Sequence, residues 1–413
     1  MKSVDIIISS SINWIGGPVG TLKRILNNKE YFEFRGYHIS IFTFESVVSG
    51  PFEDISMVPV PHLRTPKVTM RMKVSSLLRK IAMHNKLLTD LIIWKKYKKT
   101  KELIKYYVSL QRNPEIVECH SHYDGSHYLK YRKNDKPKCV VFLHSNGIPY
   151  DQEFSTFPLL PKTLYFKKLK AQCDYMLKHV NLLSFIANKG LKNFQEHYPN
   201  HSNTIVIRNG IDDLNAQQVA NIEIIRKENE SENYKYRLCC VGTISYRKGQ
   251  RFIIETMHAL PPEALKDIHI DFIGEGPERP ILEEMINKYK LNEHVCFCGA
   301  IPNAEVYKYL AKSNIYILMS QNEGLPISIL EAMRVGLPII STNVAGIPEC
   351  VDEGYNGILL EPDDHRLTNM LKNLADYNWN QMGKNSREKF EKEFTFDRMK
   401  KEFCDMFDLL TNN

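Results

Sequence analysis

The 413-residue sequence contains no long hydrophobic run. No window reaches the roughly 18 uncharged apolar residues that a membrane-spanning helix needs. The amino terminus has one lysine and then the short apolar run VDIII, without a long hydrophobic region or a small-residue cleavage site. A secretory signal is therefore not predicted, and we expect a cytoplasmic protein.

The sequence also has little that would suggest a metal site. Its nine cysteines are scattered, and several lie in apolar runs such as LCCVG, VCFCG and KCVVF, where a free thiol behaves as a small buried hydrophobe. Cys296 and Cys298 are two residues apart, which is not the spacing of a zinc knuckle. We expect a reducing compartment, no structural metal and no cofactor. There is no tandem short repeat and no low-complexity tract.

The positive charge is unevenly distributed. Residues 1–200 contain 31 Lys and Arg against 16 Asp and Glu, whereas the remaining residues contain 24 against 32. The runs RTPKVTMRMKVSSLLRK and IIWKKYKKTKELIKYY, within 64–112, hold most of the excess. On the second run, six lysines share a helix-like segment with Leu91, Ile92, Trp94, Leu103 and Tyr107. This pattern suits an anionic bilayer surface, but it is equally typical of a solvated helix that covers the core.

Short apolar or β-branched runs alternate with helix-length segments along the whole chain. Six occur in the first half (VDIIISSSI, HISIFTF, EIVECHS, KCVVFLHS, NLLSFIA, TIVIRNG) and six in the second (YRLCCVGTI, HIDFIGEG, VCFCGAI, NIYILMS, LPIISTN, NGILLE). This alternation predicts two α/β units in tandem, each with a parallel sheet covered on both faces. We expect the boundary after VIRNGID, in the polar stretch LNAQQVANIEIIRKENESENYKY, and a terminal amphipathic helix or pair in SREKFEKEFTFDRMKKEFCDMFDLL. Ligands of open α/β sheets bind beyond the carboxyl ends of the strands, so the cleft between two such sheets is the expected site.

The stretch NEGLPISILEAMRVGLP carries two acids, Glu323 and Glu331, eight positions apart. Pro326 suits a first helical position and Gly336 a terminator, so a short helix should begin beside Glu323. Its first amides, which include those of Leu325, Ile327 and Ser328, have no intrahelical partner and favour an anion. A ligand with hydroxyls at both ends and an anion between them, such as a nucleotide diphosphate sugar, fits this pattern. A helix with one surface acid and one first-turn acid remains the alternative.

Other strand ends carry weaker signals. VGTISYRKGQ presents Arg247 and Lys248, which suit a phosphate, although a solvated turn would have the same composition. Gly274 and Gly276 in FIGEGPER allow close backbone approach, but Gly-x-Gly alone is weak. SSSINWIGGPVG places Gly16, Gly17 and Gly20 after the first strand without the spacing of the dinucleotide fingerprint, and His144 closes the fourth strand. We interpret His120 and His122 as mostly structural.

Taken together, three blocks of the sequence resemble the carboxyl-terminal half of retaining glycosyltransferases of family four. They are VGTISYRKGQ, GEGPER and FCGAIPNAEVYKYLAKSNIYILMSQNEGLPISILEAMRVGLPIISTNVAGIPECVDEGYNGILLEPDD. The resemblance is strong over 205–400 and thinner before that. It implies the GT-B fold, with two Rossmann-like domains whose parallel sheets face each other across a cleft. The implied domains are 1–210 for the acceptor, 211–390 for the nucleotide sugar, and 391–413, a helix packing back on the first.

The resemblance also implies roles for individual residues. Glu323 would contact the donor sugar near the reacting centre, Glu331 would hold the ribose, and Lys248 would neutralise the diphosphate. His144 would face the donor sugar and complete the catalytic set with Glu323 and Lys248. The implied donor-binding set is Gly16, Gly17, Asn209, Thr243, Arg247, Lys248, Gly274, Ile301, Glu323, Gly324, Leu325, Pro326, Ile327 and Glu331.

This sequence departs from the family pattern at a few positions. Thr243 stands where many relatives have an arginine, so Arg247 would supply the second cation or that contact is missing. Arg208 replaces a proline before the hinge Asn209 and Gly210, and Ala345 replaces a glycine. Ala187 stands where serine is frequent.

The resemblance implies a retaining hexosyl- or N-acetylhexosaminyltransferase that uses a nucleotide diphosphate sugar, with uridine as first choice, and needs no divalent cation. The acceptor would be a glycan or a lipid-linked hydroxyl in cell-surface polysaccharide or glycolipid synthesis. The basic segment 64–112 would allow peripheral association with the inner face of the cell membrane, whereas nucleic acid is not an expected partner. The alternatives are a sugar-nucleotide epimerase of the same architecture, which needs no acceptor, and a non-catalytic membrane or glycan-binding module.

Overall fold

A computed structural model describes residues 1–13, 17–58, 81–229 and 234–412. These residues form two compact units. The first unit contains the described residues up to Asn209 together with those of Asp397–Asn413, and the second contains those of Gly210–Phe396.

The first unit is built on a parallel sheet of six strands in the order β2-β1-β3-β4-β5-β6. The register pairs Ile6 of β1 with Ile41 of β2 on one side and with Glu118 of β3 on the other. Nearly every residue of the central strands is buried, because helices cover both faces of the sheet. The strands are β1 Lys2–Ile7, β2 Tyr37–Phe42, β3 Ile116–Cys119, β4 Lys138–Leu143, β5 Leu182–Phe185 and β6 Thr204–Val206.

Helices connect and cover these strands. Asn85 caps the longest of them by accepting a hydrogen bond from the amide of Leu88 at 3.1 Å. The helices are α1 Gly17–Asn27, α2 Lys29–Phe34, α3 Ser46–Ser49, α4 Lys86–Ser109, α5 His122–Tyr131, α6 Asp151–Thr156, α7 Leu164–His179 and α8 Asn188–His197.

The second unit repeats this arrangement with the strand order β12-β11-β10-β7-β8-β9, again parallel. Its strands are β7 Tyr236–Val241, β8 Ile268–Ile273, β9 Val295–Gly299, β10 Ile315–Leu318, β11 Ile339–Thr342 and β12 Gly357–Leu360. Its helices are α9 Ala216–Asn229, α10 Gln250–His258, α11 Pro262–Leu265, α12 Arg279–Tyr289, α13 Val306–Ala311, α14 Ile327–Arg334, α15 Ile347–Cys350, α16 Arg366–Lys372 and α17 Trp379–Glu393.

The last helix, α18 Phe396–Thr411, contributes most of its length to the first unit. Phe403 stacks on Phe142 of β4 with ring centroids 5.5 Å apart, and Phe407 contacts Tyr37 of β2 at 5.1 Å. The side chain of Tyr37 also donates a hydrogen bond to Asp408 at 2.5 Å. The apolar face of α18 therefore completes the core beside β2 and β4.

The predicted fold class is confirmed, and each of the twelve apolar runs overlaps one of the described strands. The polar stretch in which we expected the boundary contains helix α9, and the first unit ends earlier, at Asn209. Of the described helices, none is both long enough and apolar enough to cross a membrane.

Candidate functional site

The second unit has its topological switch point between β7 and β10. From β7 the chain adds β8 and β9 on one side of the sheet, and β10, β11 and β12 on the other. The loops that leave the carboxyl ends of β7 and β10 therefore diverge, and such a crevice is where open α/β sheets bind ligands. Both of the strongest sequence signals, the loop with Lys248 and the loop with Glu323, lie in this crevice.

Lys248 ends a turn of 3₁₀ helix, Tyr246–Lys248, between β7 and α10. Gly249 follows with φ +74°, and a Cβ there would lie 1.9 Å from the carbonyl oxygen of Met319 after β10. Only glycine lets the two loops approach this closely. The lysine side chain is consequently buried against the loop after β10, and its Nζ lies 2.7 Å from Oε1 of Glu323.

Glu323 is buried among cationic and polar groups. Its Oε1 accepts a hydrogen bond from the hydroxyl of Ser320 at 2.8 Å and lies 2.9 Å from Nη1 of Arg247. Burial acts to raise the pKa of Glu323, but the charges and hydrogen bonds around it, mainly those of Lys248 and Arg247, outweigh burial and lower the pKa. An ionised carboxylate is thus held between two cations, and it can accept hydrogen bonds from ligand hydroxyls.

Helix α14 begins four residues after Glu323. Pro326, which we predicted as the first helical residue, is the cap before it, with φ −73° and ψ 117°, and Ile327 is first. Leu325 is buried, and the carbonyl of Gly324 accepts a hydrogen bond from the amide of Gly346 at 2.9 Å, which anchors the turn. Glu331 is buried on the second turn of the helix.

The remaining predicted residues of this unit lie on neighbouring strand ends. A Cβ on Gly274 would lie 2.0 Å from the carbonyl oxygen of Gly242, and one on Gly276 would lie 2.0 Å from that of Ile244. Their small size therefore serves the packing of the β8 loop onto the β7 loop. Thr243 is exposed, and its carbonyl accepts a hydrogen bond from Gln250 at 3.1 Å.

Ile301 is half-buried in the loop after β9. In strand order β9 is the second neighbour of β7, so Ile301 lies further from the switch point than Lys248 and Glu323 do.

In the first unit the switch point lies between β1 and β3. A pocket of about 220 Å³ opens there, lined by residues that follow β1, β3 and β4, among them Ser9, His120 and His144. Gly17 starts α1 with φ +56°, and a Cβ there would meet nothing within 4 Å. Asn209 is buried at the end of the unit, where its carbonyl accepts a hydrogen bond from Arg398 at 3.3 Å. Gly16 lies outside the described residues.

The sequence reasoning missed the partners of His144. Nδ1 of His120 lies 2.9 Å from Nε2 of His144, and Nε2 of His120 lies 2.6 Å from Oε1 of Glu118. His120, interpreted from sequence as mostly structural, thus contacts the predicted catalytic histidine directly. Burial raises the pKa of Glu118 to about 8 and lowers that of His120 to about 3. A glutamate inside the apolar run EIVECHS, two residues before a histidine on the same strand face, was the available signal.

Three further polar groups in the same pocket were not predicted. Burial raises the pKa of Asp124 to about 6, against hydrogen bonds from Ser9 and Ser121 that act to lower it. Its Oδ1 has no hydrogen-bond partner among the described residues, and neither has Nε2 of His122. Glu153 is paired with Lys96 at 2.5 Å. This pocket is therefore rich in buried polar groups, which suits hydroxylated ligands.

All nine cysteines are free thiols. Cys296 and Cys298, which sequence spacing alone did not suggest as ligands, lie with Asp271 so that their potential ligand atoms are within 4.8 Å of one another. The Asp271 carboxylate, however, already lies 3.3 Å from the guanidinium of Arg237 and 3.2 Å from Nε2 of His269. Arg237 therefore already pairs with this carboxylate, and His269 lies within hydrogen-bond distance of it.

Comparisons with known proteins find similar sequences and similar folds. Residues 221–392 match the family model described as glycosyl transferases group 1. An uncharacterized glycosyltransferase of Methanocaldococcus jannaschii is 27% identical over 294 residues, which cover 70% of this chain and 67% of that protein. The sulfoquinovosyl transferase of Arabidopsis thaliana is 30% identical over 158 residues, which cover 37% of this chain and 29% of that protein.

Among solved structures, HepE of Anabaena in complex with UDP aligns with a TM-score of 0.65 at 16% identity, over 99% of this chain and 100% of that chain. At this identity the likeness shows the fold alone. None of these matches supports the epimerase alternative. The fold is that of the GT-B glycosyltransferases, and residues 221–392 of the second unit are similar to the glycosyl transferases group 1 family.

Proposed function

We propose that this protein is a retaining glycosyltransferase of family four, which transfers a sugar from a nucleotide diphosphate sugar to a hydroxyl of a glycan or lipid-linked acceptor. The observation that carries the proposal is the buried Glu323, held between Lys248 and Arg247 at the switch point of the second unit. A transferase needs cations where the leaving diphosphate gains charge and a hydrogen-bond acceptor beside the sugar. This crevice provides both.

The diphosphate would bind between Lys248 and the amino terminus of α14. The lysine contributes a buried point charge, Arg247 a partly exposed guanidinium, and the helix a favourable dipole. Glu331, on the same helix, would accept hydrogen bonds from the ribose hydroxyls. The uridine nucleotide is supported by HepE, which was solved with UDP and with UDP-glucose.

Glu323 would accept hydrogen bonds from hydroxyls of the donor sugar. Because Lys248 and Arg247 keep it ionised, it remains an acceptor at neutral pH. As the anomeric bond breaks, Lys248 and the helix amides would stabilise the departing diphosphate. The acceptor oxygen would bond to the anomeric carbon on the same face, and a diphosphate oxygen would take the proton of the acceptor hydroxyl. This order of events retains the anomeric configuration, and we propose that it needs no divalent cation.

We assign acceptor binding to the first unit. The pocket after β1, β3 and β4 contains neutral histidines and a hydrogen-bonded carboxyl, Asp124, and these groups recognise hydroxyls without requiring a charged ligand. His144 lines this pocket, and its role toward the donor sugar stays a prediction. Cell-surface polysaccharide or glycolipid synthesis is the process that such an acceptor would serve.

Helix α4 gives partial support for membrane association. Leu87, Leu91 and Trp94 are 81%, 56% and 47% exposed, and lysines flank them. Leu103 and Tyr107, which we had placed on the lipid-facing pattern, are buried because they pack in the core. Residues 64–80 of the basic segment lie outside the described residues.

We propose that the exposed stripe Leu87, Leu91 and Trp94 lies on an anionic membrane surface. Cosedimentation with phosphatidylglycerol vesicles at low salt tests this proposal. Trp94→Glu should weaken binding severalfold at unchanged melting temperature, and equal binding by the variant and wild type would exclude the stripe.

The central experiment screens nucleotide sugars for thermal stabilisation of the full chain and then measures hydrolysis and transfer with the best binder. We expect stabilisation by a uridine diphosphate sugar and transfer that depends on an added acceptor. Glu323→Gln should abolish transfer, whereas Glu305→Gln, which breaks a surface pair with Lys308, should not. Turnover of the nucleotide sugar without an acceptor product would favour an epimerase, and no binding at all would favour a non-catalytic module.

A further inference from the structure

Glu118, His120 and His144 form a buried hydrogen-bonded chain in the first unit. Glu118 and His120 are two residues apart at the end of β3 and so point to the same face of the sheet. His144 follows β4, the neighbouring strand. The ring of His120 packs parallel to Phe142, with centroids 5.1 Å apart, so its orientation is restricted. The chain therefore joins a buried carboxyl, through one imidazole, to the predicted catalytic histidine.

We propose that Glu118 is a positioning residue that fixes the tautomer of His144, so that His144 presents an N–H at Nδ1 to the pocket. The inference rests on the distances of 2.6 Å from Glu118 to His120 and 2.9 Å from His120 to His144. Each link needs one proton between its two atoms. The position of the first proton therefore determines the position of the second.

Glu118 and His120 together carry no net charge, because no other described group compensates a charge on Glu118. Its side chain is fully buried, Oε2 has no hydrogen-bond partner, and His120 is the ionisable cation paired with it in the described part of the chain. An uncompensated buried carboxylate is strongly unfavourable. Glu118 and His120 therefore share one proton as a net neutral pair.

Both positions of the shared proton give the same hydrogen bond between His120 and His144. If Glu118 keeps the proton, its O–H donates to Nε2 of His120, and the neutral imidazole carries its hydrogen on Nδ1. If the proton moves to His120, both ring nitrogens carry hydrogen. In both cases Nδ1–H of His120 donates to Nε2 of His144, and the hydrogen of neutral His144 must be on Nδ1.

The consequence concerns recognition of a hydroxyl oxygen. Nδ1 of His144 has no hydrogen bond to any described residue, and the side chain lines the 220 Å³ pocket. With hydrogen on Nδ1, His144 is a donor to a sugar oxygen and not a base that accepts a proton. This consequence rests on the proposed function, whereas the tautomer itself does not.

The test is ¹⁵N NMR of histidine-labelled full-length protein at mildly acidic pH, with the His144 signals assigned from His144→Gln. We expect a protonated Nδ1 and a bare Nε2 in wild type. Glu118→Gln should keep this pattern, because its amide can donate to His120 as the acid does. Glu118→Met, which cannot donate, should lose it.

Transfer assays supply the second readout. We expect kcat/KM to fall about tenfold in Glu118→Met and to be largely rescued in Glu118→Gln, as for the loss and return of one neutral hydrogen bond. A bare Nδ1 in wild type would overturn the proposal, even if Glu118→Met failed to fold. The same tautomer in all three proteins would also overturn it. If the tautomer follows Glu118 but no sugar is transferred, the proposed function fails and the positioning role stands.

Discussion

Replacing Glu118 by glutamine should change how the stability of the protein depends on pH. Burial raises the pKa of this carboxyl from its ordinary value of 4.5 to about 8. Between those values the folded protein retains a proton that the unfolded chain has released, so the free energy of unfolding falls by about 1.4 kcal/mol per pH unit. Glutamine has the same shape and no titrating proton, so this loss disappears in Glu118→Gln.

The size of the stability difference follows from the pH interval between the unfolded-state and folded-state pKa values of Glu118. From about pH 5 to about pH 7.5, the stability of Glu118→Gln relative to wild type should increase by about 3 kcal/mol. For a unit of this size that corresponds to a relative shift in Tm of about 6 to 12 °C. His120 and Cys119 do not titrate in the folded protein in this window, because burial lowers the pKa of His120 to about 3 and raises that of Cys119 well above its ordinary range. Asp124, whose pKa burial raises to about 6, titrates in wild type and variant alike and cancels in the difference.

Scanning calorimetry of wild type and variant across this pH range is the assay, and Glu115→Gln is the matched control. Burial acts to raise the pKa of Glu115, but hydrogen bonds from Ser3 outweigh it and lower the pKa. Because the Glu115 carboxylate is ionised in both the folded and the unfolded state above its ordinary pKa of 4.5, the stability difference between Glu115→Gln and wild type should stay nearly constant from about pH 5 to about pH 7.5. A pH-independent difference between Glu118→Gln and wild type would refute the reasoning, because it would mean that Glu118 is already ionised in the folded protein.

Three other predictions test the second unit and the packing of the fold. Glu323→Gln should bind UDP about fivefold more tightly in calorimetric titration, since Lys248 loses a competing anion, while transfer falls at least about 100-fold; weaker UDP binding would contradict this. Gly276→Ala should lower stability by about 1–3 kcal/mol in thermal unfolding, because its Cβ would lie 2.0 Å from the carbonyl oxygen of Ile244. The control Gly20→Ala, on a helix with room for a methyl group, should not lower stability. Transfer should persist in excess EDTA, because we propose that Lys248 and the helix amides act in place of a divalent cation; a loss of activity restored by Mg²⁺ would contradict this.

The fold could be predicted from sequence because its signals are local. Each strand is a short apolar run bounded by polar or glycine-containing segments, and the alternation with helices indicates parallel sheets. The loops with Lys248 and Glu323 were predicted for a similar reason, since charged residues directly after such runs lie at the carboxyl edge of a sheet. Helix α9 was not predicted, although alanine, glutamine, glutamate and lysine favour helix, because the stretch has no clear apolar face.

Contacts between strands could not be predicted from these local signals. Whether His120 meets His144 depends on β3 and β4 being neighbours in register, and no pattern within either run specifies that pairing. The same applies to Gly274, whose partner Gly242 lies on the adjacent strand end. Burial of Leu103 on α4 depends on which face of the helix meets the sheet, which the scattered lysines of that helix do not determine.

The two units share the same sheet architecture, but the charges at their switch points differ. This difference supports the proposed division of roles between the units. Each places its polar residues at the switch point of a parallel sheet. The crevice of the second unit holds one carboxylate against Lys248 and Arg247 beside a helix amino terminus, so an excess of positive charge remains for an anionic ligand. The crevice of the first unit holds imidazoles that burial keeps uncharged, including His144, together with an acid that burial protonates. A diphosphate gains the most binding energy in the positively charged crevice of the second unit, and a neutral hydroxyl loses the least in the uncharged crevice of the first. We therefore infer that charge alone directs the donor to the second unit and the acceptor to the first.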